Sequence, residues 1–168
     1  MAAATVEIDE SNGAGETVTH NITNSNMGDT DAVNLDPVAY PVTPGNNTYE
    51  KFQKIHVTNI GTSSKIDNLK IWRTGALGGA AVHLTNCKTS AYAGAPTYAT
   101  PVKTASSLAV NTMPSSVPGT ANLGIGGSLS GSLVAAGYSD YMVHQIQTNA
   151  SDVAGSTSTM NYQYDETA

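Results

Sequence analysis

The chain has 168 residues, only 12% of them charged, with a net charge of −6 and seven basic side chains. That length suits one domain, able to bury roughly 70% of its extended-chain surface without disulfide staples. The few basic residues, Lys51 and Lys54 near each other and Lys65, Lys70 and Arg73 scattered beyond, exclude the basic patch that a nucleic-acid backbone requires.

Residues 1–15 read as an N-terminal arm of small and polar residues. Within it Thr5-Val6-Glu7-Ile8 is strand-like and suited to pairing with another chain's sheet edge. A single domain is expected over 16–168. In "ETVTHNIT", residues 16–23, Val18, His20 and Ile22 alternate with Thr17, Thr19 and Asn21, the pattern of a half-buried strand. The Asn- and Asp-rich run that follows is loop, and Pro37, Pro41 and Pro44 hold 37–45 to edge or extended backbone.

The run Lys54–Gly75 reads as a hairpin. Phe52, Ile55 and Val57 supply one inward face, "NIGTSSK" the turn, and Ile66, Leu69 and Ile71 the return. The change of parity between Ile66 and Leu69 predicts a bulge near Asp67-Asn68. Residues 80–86 form another short strand. Residues 89–120, with Pro96, Pro101, Pro114 and Pro118, read as a long ordered excursion holding a short strand around Ser107–Asn111. A Gly-rich turn cluster follows. Residues 139–150 and 158–166 then pair as a final hairpin, with Met160, Tyr162 and Tyr164 on its apolar face.

Seven or more short strands with frequent turns predict an all-β fold, an antiparallel β-sandwich with long loops. Immunoglobulin-like and jelly-roll topologies both fit. No apolar run approaches the ~20 residues that span a bilayer. The first residues lack the basic and apolar regions of a secretory signal, so synthesis and folding in a cytoplasm are expected. Cys87 stands alone, which excludes an intrachain disulfide framework.

No motif for chemistry survives scrutiny. In 29–40, Asp29 and Asp31 match two ligand positions of a calcium loop, but Val33, Asn34 and Tyr40 break the rest. The histidines, His20, His56, His83 and His144, fall on four different predicted strands with no ligand spacing, so ordinary strand roles and no metal site are expected. "GSLSG" at 127–131 has Leu129 where a nucleophile would stand. Ser139, Asp140 and His144 are near neighbours on one strand and cannot form a triad. No cofactor and no enzymatic activity are expected. Trp72, Arg73, Tyr92 and Tyr98 are the candidate interface residues, because Trp, Tyr and Arg dominate protein–protein hot spots and Arg73 is the chain's one arginine.

Two stretches, "FQKIHVTNIGTSSKIDNLKIWRTG" (52–75) and "YSDYMVHQIQTNASDVAGSTSTMNYQYDE" (138–166), resemble virion structural proteins of tailed bacteriophages with a β-sandwich fold, capsid decoration (cement) proteins above all. The resemblance covers about a third of the chain. It lies in a hairpin with Asn59-x-Gly61 and a last strand pair ending Tyr162-x-Tyr164-Asp165-Glu166. It implies a non-catalytic protein at the capsid surface that binds neighbouring subunits of the major capsid protein. It also implies a homo-oligomer, with a trimer favoured. A host- or carbohydrate-binding module, or a tail or head-completion component, are the alternatives.

Overall fold

The computed structural model describes residues 2–92, 96–153 and 155–168. Met1 of the expected arm, 93–95 of the expected excursion and Ala154 between the last two expected strands lie outside them. The described residues form nine strands and no helix: β1 (Thr5–Asn12), β2 (Thr17–Thr19), β3 (Lys51–Asn59), β4 (Lys65–Thr74), β5 (Val82–Thr85), β6 (Asn111–Thr112), β7 (Gly137–Tyr138), β8 (Met142–Gln147) and β9 (Thr159–Thr167). Among these residues no helix is long and apolar enough to cross a membrane.

The strands make two antiparallel sheets, so the all-β sandwich holds. One sheet has seven strands in the order β2-β1-β3-β8-β5-β6, with β7 also on β3; the other is β4-β9 alone. That division is more uneven than the four-and-three of an immunoglobulin constant domain. β7 and β8 both lie along β3, and the gap between them is bridged by a side chain. The Ser139 hydroxyl accepts from the Ile55 amide at 2.9 Å, standing in for a ladder carbonyl.

Both predicted hairpins are arches instead. β3 lies in the large sheet and β4 in the small one; β8 lies in the large sheet and β9 pairs with β4. Ile55 and Val57 therefore face Ile66, Leu69 and Ile71 through one apolar cluster that also holds Met142. Met160, Tyr162 and Tyr164 of β9 pack against that cluster, on the face expected of them. Alternating parity is the same whether two strands share a ladder or face each other across a core, which is why the pattern did not separate the cases. The link from Ile60 to Ser64 exceeds the two-residue turns that favour tight hairpins, and Gly61 takes a φ of 66° within it.

The predicted bulge is present. The β4-β9 register shifts between Asp67 and Lys70, and Asn68 sits at φ 53°. The outer edge of β4 is covered by a later segment: the buried Asn122 side chain accepts from the Ile71 amide and donates to the Ile71 carbonyl, each at 2.8 Å. An Asn side chain thereby acts as a strand partner and blunts an open edge.

Residues 5–12 do not stand off as an arm. They form β1, which pairs with β2 on one side and β3 on the other. Its Asp9 and Glu10 are buried and Glu7 is half-buried, and each is met by a partner. Glu10 accepts from the Lys51 ammonium at 2.6 Å and from the Gln53 amide at 2.9 Å.

The excursion covers the outer face of the large sheet and creates a second core. Phe52, Tyr141 and Val143 pack there with Ala109, and Tyr98, Leu108 and Leu84 close the edge. Gln145 pins the excursion: its amide donates to Thr104 and Thr48 carbonyls, and its carbonyl accepts from the Ser106 amide. The short strand expected near 107–111 is β6, two residues long.

Candidate functional site

Side chains of β1 and β3 alternate between the two faces of the large sheet, and this sorts the polar residues into two groups. On the inner face, Glu10, Lys51 and Gln53 continue the row of Ile8, Ile55 and Val57. On the outer face stand Glu7, Asp9, Lys54 and His56. The sandwich interior is accordingly apolar at one end and polar at the other.

At the polar end the two sheets part to leave an open cleft of about 700 Å³. Gln53, His83 and His144 line it from the large sheet and Tyr162 from the small one. His83 and His144 are brought together by the β5-β8 ladder, in which Thr85 opposes His144 and His83 opposes Ile146. Both rings are buried, edge to face, with centroids 5.2 Å apart. Among the described residues none of their nitrogens has a hydrogen-bond partner, and neither has the Gln53 carbonyl oxygen. The Tyr162 hydroxyl faces Ser25 without making a bond of proper geometry. Burial lowers the His83 pKa to about 4, with the nearby positive charge of Arg73 adding to the effect. His144 is held well below its ordinary value by burial and by His83. Both rings are therefore neutral at pH 7 and each offers one donor and one acceptor.

The lining of the cleft is mixed, with Asn24, Ser25 and Ser156 beside Pro37, Pro41 and two exposed valines. Val38 and Val153 belong to it and are 86% and 74% exposed. Unpaired polar groups at the floor and bare valines at the lip are both features that a second molecule satisfies.

The outer face carries a different group. Glu7 opposes His56 in the β1-β3 register, Asp9 lies two residues along, and the β1-β2 hairpin returns His20 beside them. One nitrogen or oxygen from each of the four lies within 4.8 Å of the others. The histidines thus form two pairs, His20 with His56 and His83 with His144, where the sequence placed them on separate strands. A cross-strand register that brings Glu7 to His56 is invisible in the spacing of either residue.

The candidate interface residues have separate positions. Trp72 is half-buried on β4 opposite Asn161. Arg73 donates to the Gly75 carbonyl and lies close enough to His83 to act on its charge. Tyr92 donates to Asp140 at 3.0 Å, and Tyr98 donates to the Gly13 carbonyl while stacking edge-on against Phe52. The two tyrosines fasten the excursion to the sheet.

Apart from His144, the polar residues weighed for a triad or a calcium loop hold structural bonds. The Ser139 hydroxyl belongs to the ladder, and the Asp140 carboxylate accepts from the Gly127 amide. Cys87 lies in the apolar core, and burial pushes its thiol up to about 12. Asp29 pairs with Lys103, and Asp31 accepts from Asn12 and from the Gly13 amide. No family model matches the sequence, and neither curated proteins nor solved structures give a match.

Proposed function

We propose that this chain is a non-catalytic structural protein of a tailed-phage virion, decorating the capsid and stabilising it by binding neighbouring subunits of the major capsid protein. The observation that carries the proposal is the cleft: buried His83, His144 and Gln53 atoms without partners lie beneath a lip bearing exposed Val38 and Val153. An extended segment of a neighbouring subunit laid in the cleft pairs its backbone amides and carbonyls with the imidazoles and covers the valines. Arg73 stands beside this cleft, whereas Tyr92 and Tyr98 serve the chain's own packing. The alternative carbohydrate platform of Trp72, Tyr92 and Tyr98 draws less support, since two of its three rings serve internal packing. Trimeric association and a place on the outer capsid surface belong to the same proposal.

The test compares capsids assembled with and without the chain. Capsids lacking it rupture at lower temperature or internal pressure, because a partner that binds only the assembled state stabilises that state. Equal resistance in both preparations removes the stabilising role.

A further inference from the structure

The outer-face cluster has a chemistry of its own. Three polar contacts already join its members: His20 Nδ1 to Asp9 Oδ2 at 2.6 Å, His56 Nδ1 to Glu7 Oε1 at 2.9 Å, and His56 Nδ1 to Asp9 Oδ2 at 3.0 Å. In a tetrahedral zinc site with metal–ligand bonds near 2.0–2.2 Å, neighbouring ligand atoms stand about 3.3–3.5 Å apart. Contacts of 2.6–3.0 Å therefore need to open by roughly 0.3–0.9 Å for a cation to replace the shared protons. We propose that Glu7, Asp9, His20 and His56 form a binding site for a borderline divalent cation, Zn²⁺ first among them.

The donor set decides the class of ion. Two imidazoles and two carboxylates suit zinc and its first-row neighbours, whereas calcium and magnesium take oxygen ligands. Two carboxylates with two neutral imidazoles carry the charge that a divalent cation cancels. Lys54 stands opposite Asp9 in the register and is the side chain placed to neutralise it. It lies instead over the Tyr141 ring, 3.8 Å from the centroid, and makes no ion pair among the described residues.

The ligands are also held. Asp9 is buried, and its other carboxylate oxygen accepts from the Asn21 amide at 3.1 Å. Tyr138 stacks on the His56 ring with centroids 4.1 Å apart. Such outer contacts orient metal ligands and tune their affinity. The His20 side chain is 57% exposed, which leaves the ion a path from solvent. Bound there, the ion ties the β1-β2 hairpin to β3. This site lies on the opposite face of the sheet from the cleft, so it stands or falls independently of the capsid role.

The experiment titrates the chelator-treated full chain with ZnCl₂ by calorimetry and follows its thermal midpoint. One equivalent binds, and the midpoint rises with zinc concentration. His20→Ala, at an exposed position that leaves the fold intact by circular dichroism, weakens binding by at least about tenfold, as does Glu7→Gln. Absence of saturable binding by the unaltered chain overturns the proposal. So does equal affinity in the folded His20→Ala and Glu7→Gln variants, which locates the zinc elsewhere.

Discussion

His83 and His144 meet edge to face across β5 and β8, and all four of their ring nitrogens are buried without a hydrogen-bond partner among the described residues. A folded domain keeps such groups only when burial of the neutral ring is tolerated or when another molecule completes them. The first circumstance makes a prediction about pH. His83 has a folded pKa of about 4 against an ordinary 6.5, and His144 is lowered as well. The unfolded chain binds more protons than the folded one in that interval. The contribution of these rings is thus complete above the ordinary value and is lost as pH falls from 6.5 towards 4. For His83 alone the loss is on the order of 3 kcal/mol. Urea unfolding across this range reads it, and level stability from neutral pH to below 5 contradicts the buried neutral rings.

The Lys51–Glu10 pair predicts a large single-mutant effect. Its 2.6 Å contact is buried at both ends, and Lys51 also donates to the Ala32 carbonyl. Lys51→Ala leaves a buried carboxylate without its cation and costs about 3–5 kcal/mol. Replacing both residues with apolar side chains of similar volume recovers most of that loss, since no unpaired charge remains. Denaturant midpoints of the single and double variants distinguish the pair from a simple packing effect.

At the β4 bulge, Asn68 holds a φ of 53° and donates to Asp165 at 2.7 Å. Asn68→Val places a β-branched residue in the left-handed region, at about 1–2 kcal/mol for the backbone alone. Asn68→Gly keeps the backbone and loses only the exposed bond to Asp165. Valine is therefore the more damaging replacement in thermal unfolding, and the reverse order contradicts the bulge geometry.

Gln145 is predicted to govern the order of the excursion. Its side chain bonds Ser106, Thr48 and Thr104 from a fully buried position. Gln145→Ala orphans buried backbone groups and destabilises by about 1–3 kcal/mol. Hydrogen exchange shows the effect at Ser106 first, while amides of β4 and β9 keep their protection.

Much of the architecture was legible in the sequence because alternating apolar residues report which side of a strand is buried. Ile55, Val57, Ile66, Leu69 and Ile71 were read correctly as core, and the break between Ile66 and Leu69 gave the bulge. Which strand each of them bonds to was not legible, since the same alternation serves a hairpin and an arch. β1 was read as a strand only from Thr5 to Ile8, and for another chain's edge, because Asp9, Glu10 and Ser11 resemble a solvated segment until Lys51, Gln53 and His56 are placed beside them. Both histidine pairs depend on registers between strands distant in the chain, β1 with β3 and β5 with β8, and no local spacing encodes those.

The proposal that this sandwich grips other proteins of a virion is decided by electron cryo-microscopy of purified tailed-phage particles produced in cells that make the chain. The account predicts two-sheet density repeated over the outer capsid shell, with a stretch of capsid protein threaded past Val38 and Val153 to the His83–His144 pair. Purified particles that lack the chain altogether contradict it.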